Sequence, residues 1–174
     1  MTKKFYKYLF IIFLFSSHLK STEYEITILA TNIANFGGIG EWSFSALLES
    51  EEESILFDTG FDENTVLHNA NLLQKDLSKV EKVILSHFHG DHTGGLIKLR
   101  QTYMNSNPKA FSDVYVAEGF FDQRFDENGE LRGFIGGFNK VSDFKEEAEN
   151  LGINFIVIDE AFELAPNLVL SGPV

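Results

Sequence analysis

Hydrophobic and polar positions repeat along the chain with two different periods, which predict a mixture of strands and helices. Residues 24–30 alternate β-branched and polar side chains, the period of two that is typical of a strand. Residues 63–73 place apolar side chains three and four positions apart, as an amphipathic helix does. Further strands are predicted at 42–48, 54–57, 80–86, 113–117, 153–158 and 168–170, and further helices at 94–103 and 142–152. This alternation predicts the α/β class.

Local signals indicate how some of these elements begin and end. Strands 42–48 and 54–57 are joined by a short acidic turn, which predicts an antiparallel hairpin. Ser142 precedes several acidic residues and is the predicted N-cap of the last helix. Gly152 suits the left-handed conformation that commonly follows a helix.

The first residues follow a different pattern from the rest. Basic residues within the first seven positions precede an apolar run over 8–15, and small and polar residues follow. This order is typical of a secretory signal peptide, so we expect one over residues 1–21 and an exported domain over 22–174. The apolar run is shorter than the ~20 residues that span a bilayer, so stable membrane insertion is not expected after cleavage. An uncleaved interfacial anchor is the alternative.

Composition excludes several classes of partner and chemistry. The chain has 26 acidic and 14 basic side chains, and its formal net charge of -12 opposes binding of nucleic acid. It contains no cysteine, which excludes disulfides, thiolate zinc sites and cysteine nucleophiles. Its 174 residues are enough for one domain with a substantial core.

Four potential metal ligands lie within six residues, directly after a strongly apolar predicted strand. His87 and His89 are two apart, so an extended backbone places both imidazoles on one face. Gly90 allows a sharp turn before Asp91 and His92. Imidazole and carboxylate are ligands that suit zinc, iron and manganese, and sheet proteins commonly place sites at the carboxyl ends of strands. This density favours a metal site over a polar loop that bonds only to nearby backbone.

The run His87-x-His89-x-Asp91-His92, followed by Thr-Gly-Gly, resembles the metal motif of the metallo-β-lactamase superfamily. The resemblance implies an αβ/βα sandwich, with a mixed sheet, flanking helices and two divalent metal ions. Zinc is the expected metal, and iron or manganese are alternatives. By the same resemblance, His87 and His89 would bind the first ion. Asp91 and His92 would bind the second, and Asp91 would also help to orient the nucleophile as a catalytic residue.

Other segments narrow the resemblance to one branch of that superfamily. Asp58 matches the acid at the end of an earlier strand that supports the histidine loop. The branch includes methanopterin-pathway ribofuranosylaminobenzene-phosphate synthase-like proteins, and a β-lactamase proper fits these segments less well. The resemblance implies a metal-dependent hydrolase, in which metal-activated hydroxide attacks a small-molecule ester, lactone, amide or phosphoester. The segments that carry the similarity are 36–49, 56–69, 83–96 and 164–174.

Two features depart from the family pattern. The family takes further metal ligands from its C-terminal half, whereas the other histidines here are His18, in the predicted signal peptide, and His68, on a predicted helix. We expect His68 to face solvent or to cap a neighbour. The chain also ends directly after a predicted strand, so we expect the N-terminal half to two-thirds of the sandwich, with an open sheet face that favours self-association. The alternative function is a catalytically incomplete metal-binding fragment, or one half of a split protein.

The aromatic, glycine-rich stretch 119–138 has two interpretations. It is either a flap over the substrate, because glycines permit movement, or an insertion whose aromatic rings join the core. Ser45 and Thr59 are expected to have structural roles only. The side chains that distinguish a flap from an insertion are Phe120, Phe121, Phe125, Phe134 and Phe138.

Overall fold

The computed structural model describes residues 23–132 and 135–173, so the predicted signal peptide at 1–21 lies outside the described residues. Within these ranges, no helix combines the length and apolar character needed to cross a membrane. The strands are β1 (Glu25–Ala30), β2 (Ser45–Glu49), β3 (Ser54–Phe57), β4 (Lys82–Ile84), β5 (Asp113–Ala117), β6 (Arg124–Phe125), β7 (Leu131–Arg132), β8 (Asn154–Ile158), β9 (Phe162–Ala165) and β10 (Leu168–Leu170). The α-helices are α1 (Thr65–Leu72), α2 (Gly90–Thr93), α3 (Leu96–Tyr103) and α4 (Val141–Asn150), and a 3₁₀ turn covers Leu77–Lys79.

A mixed six-stranded sheet organises the fold, in the order β1-β2-β3-β4-β5-β8. β2 pairs antiparallel with β1 and with β3, which confirms the predicted hairpin, whereas the pairs β3–β4, β4–β5 and β5–β8 are parallel. β2 begins at Ser45 rather than at residue 42. The backbone of Phe44 instead bonds outside the sheet, to the Asp91 carbonyl and the Gly60 N–H. The α/β class with a mixed sheet and flanking helices is confirmed.

The direction of the strands places the chemistry at one edge of the sheet. Because β3, β4, β5 and β8 are parallel, their carboxyl ends meet at the same edge. Asp58 follows β3, and the histidine loop follows its neighbour β4. Residues that are about thirty positions apart in sequence therefore become adjacent.

The main core lies between the sheet and its helices. α3 contributes Leu96 and Leu99, both fully buried, and α4 contributes Phe144. They pack against sheet residues that include Val83 and Val114, which are also fully buried. Each such side chain contributes about 1.5–3 kcal/mol through removal from water, so this face anchors the strands from which the site loops emerge.

Helix α4 begins earlier than predicted. Ser142 is not the N-cap, because the Lys140 carbonyl already accepts a hydrogen bond from the Phe144 N–H and Lys140 itself is the extended capping residue. The predicted end is confirmed. Gly152 has a φ of +76°, and the Ile153 N–H donates back into the last turn, as expected of a left-handed glycine cap.

The second face of the sheet is covered at its centre, so the expectation of a wholly open face is wrong there. The hairpin of β9 and β10 packs Leu164 and Ala165 against Ile55 and Ile84 of the central strands. At the β1 edge, Ile26 and Ile28 remain 62% and 44% exposed. Ile26 and Ile28 project from the same face of the sheet as Ile55 and Ile84, but the hairpin of β9 and β10 does not cover them.

The aromatic stretch follows the insertion interpretation at three of its phenylalanines. Phe120 is buried, and Phe121 and Phe138 are half-buried against the main core. Phe125 is 59% exposed, while Phe134 lies outside the described residues. The rings that join the core hold this stretch to the body of the protein.

Candidate metal centre

A sharp turn after β4 brings the predicted ligands together. His89 has extended backbone angles and is the residue from which the short helix α2 starts. The Thr93 N–H and hydroxyl both donate to the His89 carbonyl, at 3.1 and 3.0 Å. The turn therefore carries Asp91 and His92 back towards His87, and one donor atom from each of these three residues lies within 4.8 Å of the others.

The donor atoms form two pairs. His87 Nε2 lies 3.0 Å from His89 Nδ1, and His92 Nε2 lies 3.4 Å from Asp91 Oδ2. Zinc binds nitrogen at ~2.0–2.1 Å in a tetrahedron, which sets two ligand atoms about 3.3 Å apart. Both separations are close to this value, and the three ligands that lie within 4.8 Å of one another are His87, Asp91 and His92, so the donor set fits a divalent ion of this class.

Asp58 fixes the orientation of His92. Its side chain is 1% exposed, and Oδ2 accepts a 2.7 Å hydrogen bond from His92 Nδ1. The same carboxylate accepts 2.7 Å bonds from the N–H and the hydroxyl of Ser86. Burial raises the pKa of Asp58, and the hydrogen bonds from Ser86 and His92 oppose that rise. With its proton on Nδ1, His92 leaves Nε2 available to a metal ion.

Ser86 extends this support to His87, a role that sequence reasoning missed. Its hydroxyl lies 3.0 Å from His87 Nδ1 and donates to Asp58. A proton on His87 Nδ1 therefore leaves Nε2 facing His89. Burial is the main cause that lowers the pKa of His87, followed by the charges of His92 and His89. The neutral imidazole is the form that binds metal. The adjacency of Ser86 to the motif, at the strand end, was the available signal.

Ser45 and Thr59 have the structural roles that were predicted. The buried Ser45 hydroxyl donates to the Asp58 carbonyl at 2.8 Å. The Thr59 N–H and hydroxyl both donate to the His92 carbonyl, at 2.7 and 3.1 Å. They hold the end of β3 against the histidine turn.

The two glycines after the motif permit this close contact between backbones. A Cβ on Gly94 would lie 1.9 Å from the Phe61 carbonyl oxygen, and one on Gly95 would lie 2.3 Å from the Thr59 oxygen. The Gly94 N–H also donates to the Gly60 carbonyl at 2.9 Å. Glycine is therefore required here by space and not by backbone conformation.

Glu41 supports the loop after β3, a role that the sequence had not indicated. Its carboxylate accepts hydrogen bonds from the N–H groups of Phe61 and Asp62, at 2.7 and 3.1 Å. It also accepts from the hydroxyls of Ser43 and Thr65, at 2.7 and 2.9 Å. One side chain thus connects the loop before β2 to the loop after β3.

His68 lies apart from the histidine loop. Its ring is exposed and places Nε2 2.7 Å from the Gly37 carbonyl oxygen, as expected of a side chain that faces solvent or caps a neighbour.

Comparisons with known proteins agree with this architecture. Residues 43–161 match the family described as the metallo-beta-lactamase superfamily. Over 140 residues, the chain is 29% identical to 7,8-dihydropterin-6-methyl-4-(beta-D-ribofuranosyl)-aminobenzene-5'-phosphate synthase of Methanocaldococcus jannaschii, covering 76% of this chain and 45% of that protein. It is 35% identical over 116 residues to ribonuclease Z of Thermococcus onnurineus, covering 58% of this chain and 36% of that protein.

A solved structure shows the same likeness. The fold is similar to that of a metal-dependent hydrolase of the beta-lactamase superfamily, with a TM-score of 0.61 and 27% identity. The similarity covers 87% of this chain and 48% of that one. The chain spans about half the length of the curated relatives it matches, 45% and 53% in two of them.

Proposed function

Because this chain belongs to the metallo-beta-lactamase superfamily, we propose that it binds two divalent ions, preferably zinc, for metal-dependent hydrolysis. His87 and His89 would hold one ion, and Asp91 and His92 the other. The two donor pairs, separated by 3.0 and 3.4 Å, are the observation that carries the proposal. When bound, such ions lower the pKa of a coordinated water towards ~7 and polarise the substrate oxygen.

The chain's own residues prepare the donors for this task. Asp58 accepts the Nδ1 proton of His92 in a hydrogen bond, and the Ser86 hydroxyl does the same for His87. Both Nε2 atoms are therefore left unprotonated and available to metal ions. Asp91 combines a role as ligand with orientation of the attacking oxygen, which makes it the proposed catalytic residue. A hydrolytic site of this kind needs no side-chain nucleophile, in agreement with the absence of cysteine.

The proposed substrate is a small molecule with an ester, lactone, amide or phosphoester bond. A nucleic acid is the alternative substrate, because the chain is similar to a ribonuclease Z. The net charge of -12 opposes a polyanion, because its approach would meet repulsion over most of the surface. We also propose that the protein is exported, which rests on the pattern of its first 21 residues.

A second candidate is a metal-binding protein without turnover. Each donor pair in the histidine loop supplies two ligands, whereas catalytic zinc usually has three protein ligands. Chelator-sensitive hydrolysis distinguishes the two functions.

The test compares zinc binding by the wild-type chain with that of His89→Ala and His92→Ala. His68→Ala is the matched control, because that ring is exposed and contacts the distant Gly37 carbonyl. We expect both loop variants to lose at least about tenfold in zinc affinity, and the control to bind as the wild type does. A wild-type chain that retains no zinc, or a His89→Ala variant that binds normally, would refute the proposal.

Turnover is measured on ester, lactone, amide and phosphodiester probes with and without a chelator. Hydrolysis that the chelator abolishes and zinc restores supports the enzyme. Zinc binding without hydrolysis of any probe favours the second candidate.

A further inference from the structure

Phe88 occupies the position between the two paired histidines. Its ring packs edge-on against His89, with centroids 4.5 Å apart, and it is half-buried against the main core. Any change in the Phe88 ring position therefore acts directly on the imidazole whose Nδ1 lies 3.0 Å from His87.

The side chain of Arg124 lies over the Phe88 ring. Its guanidinium carbon lies 3.9 Å from the Phe88 centroid, which is a close cation–π contact. The guanidinium also donates to the carbonyls of Gly119 and Asp122, at 3.1 and 3.0 Å. A planar group with several fixed donors is suited to such a bridging role. Arg124 thus joins the turn after β5 to the histidine loop.

The same aromatic stretch reaches the loop at a second point. The Gly136 N–H donates to the Thr93 hydroxyl at 2.8 Å, and that hydroxyl donates to the His89 carbonyl. His89 is therefore held through its ring by way of Phe88 and through its backbone by way of Thr93. Both contacts originate in one segment of the chain.

We infer that Arg124 is a positioning residue of the metal centre, which holds Phe88 so that His89 stays paired with His87. This rests on the proposed function, since it assumes that the pair binds an ion. The contact is reciprocal by thermodynamic linkage. Metal binding should accordingly slow amide hydrogen exchange in the turn that Arg124 bridges, residues 119–122.

The experiment measures zinc affinity by chelator competition, and the visible absorption of the cobalt-substituted protein, for Arg124→Ala and Arg124→Lys. Lys145→Ala is the matched control, because Lys145 makes a similar contact, at 5.1 Å, with Phe121, whose ring packs against Phe120 and Phe155. We expect Arg124→Ala to weaken zinc binding by about threefold to thirtyfold, the range of a cation–π contact expressed as a binding ratio. Arg124→Lys should recover part of the loss, and the control should change affinity by less than about twofold.

A double-mutant cycle separates positioning from a general loss of stability. In a Phe88→Leu background the ring is gone, so Arg124→Ala should cause little further loss of affinity. A loss that persists undiminished in that background would overturn the inference, as would wild-type affinity and an unchanged cobalt spectrum in Arg124→Ala. If the wild-type chain binds no zinc, the proposed function fails and the inference with it. Normal wild-type binding with an inert Arg124 refutes the inference alone.

Discussion

Gly94→Ala should weaken both the fold and the metal centre, even though the backbone there suits alanine. Gly94 has φ and ψ of -61° and -36°, a helical conformation in which alanine is normally favoured over glycine by ~1 kcal/mol. The added Cβ would, however, lie 1.9 Å from the Phe61 carbonyl oxygen and 2.6 Å from its carbon. Ordinary contact begins at 3.4 Å, so one backbone segment must move away from the other.

The expected loss of stability follows from these opposing effects. Inserting a methyl group into a packed site costs ~1–3 kcal/mol, and losing the bond from the Gly94 N–H to the Gly60 carbonyl costs ~1 kcal/mol more. The gain in helix propensity offsets ~1 kcal/mol of this total. A net loss of about 2 kcal/mol lowers the Tm of a chain of this size by ~4–8 °C. The displaced segment continues into Asp58, so zinc affinity should also fall by about tenfold.

Thermal unfolding followed by circular dichroism measures the first effect, and zinc competition measures the second. Gly129→Ala is the control, because its Cβ meets nothing within 4 Å although its φ is +78°. That variant should lose ~1 kcal/mol to backbone strain and bind zinc normally. A Gly94→Ala chain with the wild-type Tm and zinc affinity would refute the steric argument.

Three further predictions concern zinc affinity and the free energy of unfolding. Asp58→Asn should reduce zinc affinity by about 10–100-fold, and the backbone should be preserved because asparagine tolerates the φ of +54°. A variant that binds zinc as tightly as the wild type in a competition assay would contradict the role of the carboxylate. Arg100→Lys should lower the free energy of unfolding, measured by urea titration, by ~2–3 kcal/mol, because buried Arg100 donates to three backbone carbonyls. It should leave zinc affinity unchanged, and a lower affinity would show that the surroundings of Arg100 are coupled to the histidine loop. Zinc at 100 times its Kd should stabilise the wild type by ~2.7 kcal/mol and stabilise His89→Ala much less, so an equal rise in Tm would place the ion elsewhere.

The sequence by itself determined the positions of most strands and helices and the composition of the candidate metal loop, but it did not predict β6, β7 or β9. Both depend on neighbours in the chain, since the periodicity of a strand or helix is local and four donors within six residues are visible without a fold. The family resemblance rests on the same short run. The role of His87, His89, Asp91 and His92 as ligands stays a prediction, to be tested by metal binding.

Tertiary structure alone decided what holds those donors in place. Asp58 could be matched to a supporting acid from its motif, but its bonds to Ser86 and His92 depend on the parallel pairing of β3 and β4. The space that requires glycine at position 94, and the bridge that Arg124 makes to Phe88, likewise arise between segments distant in the chain. Such contacts depend on register and packing, which a local pattern of residue types does not specify.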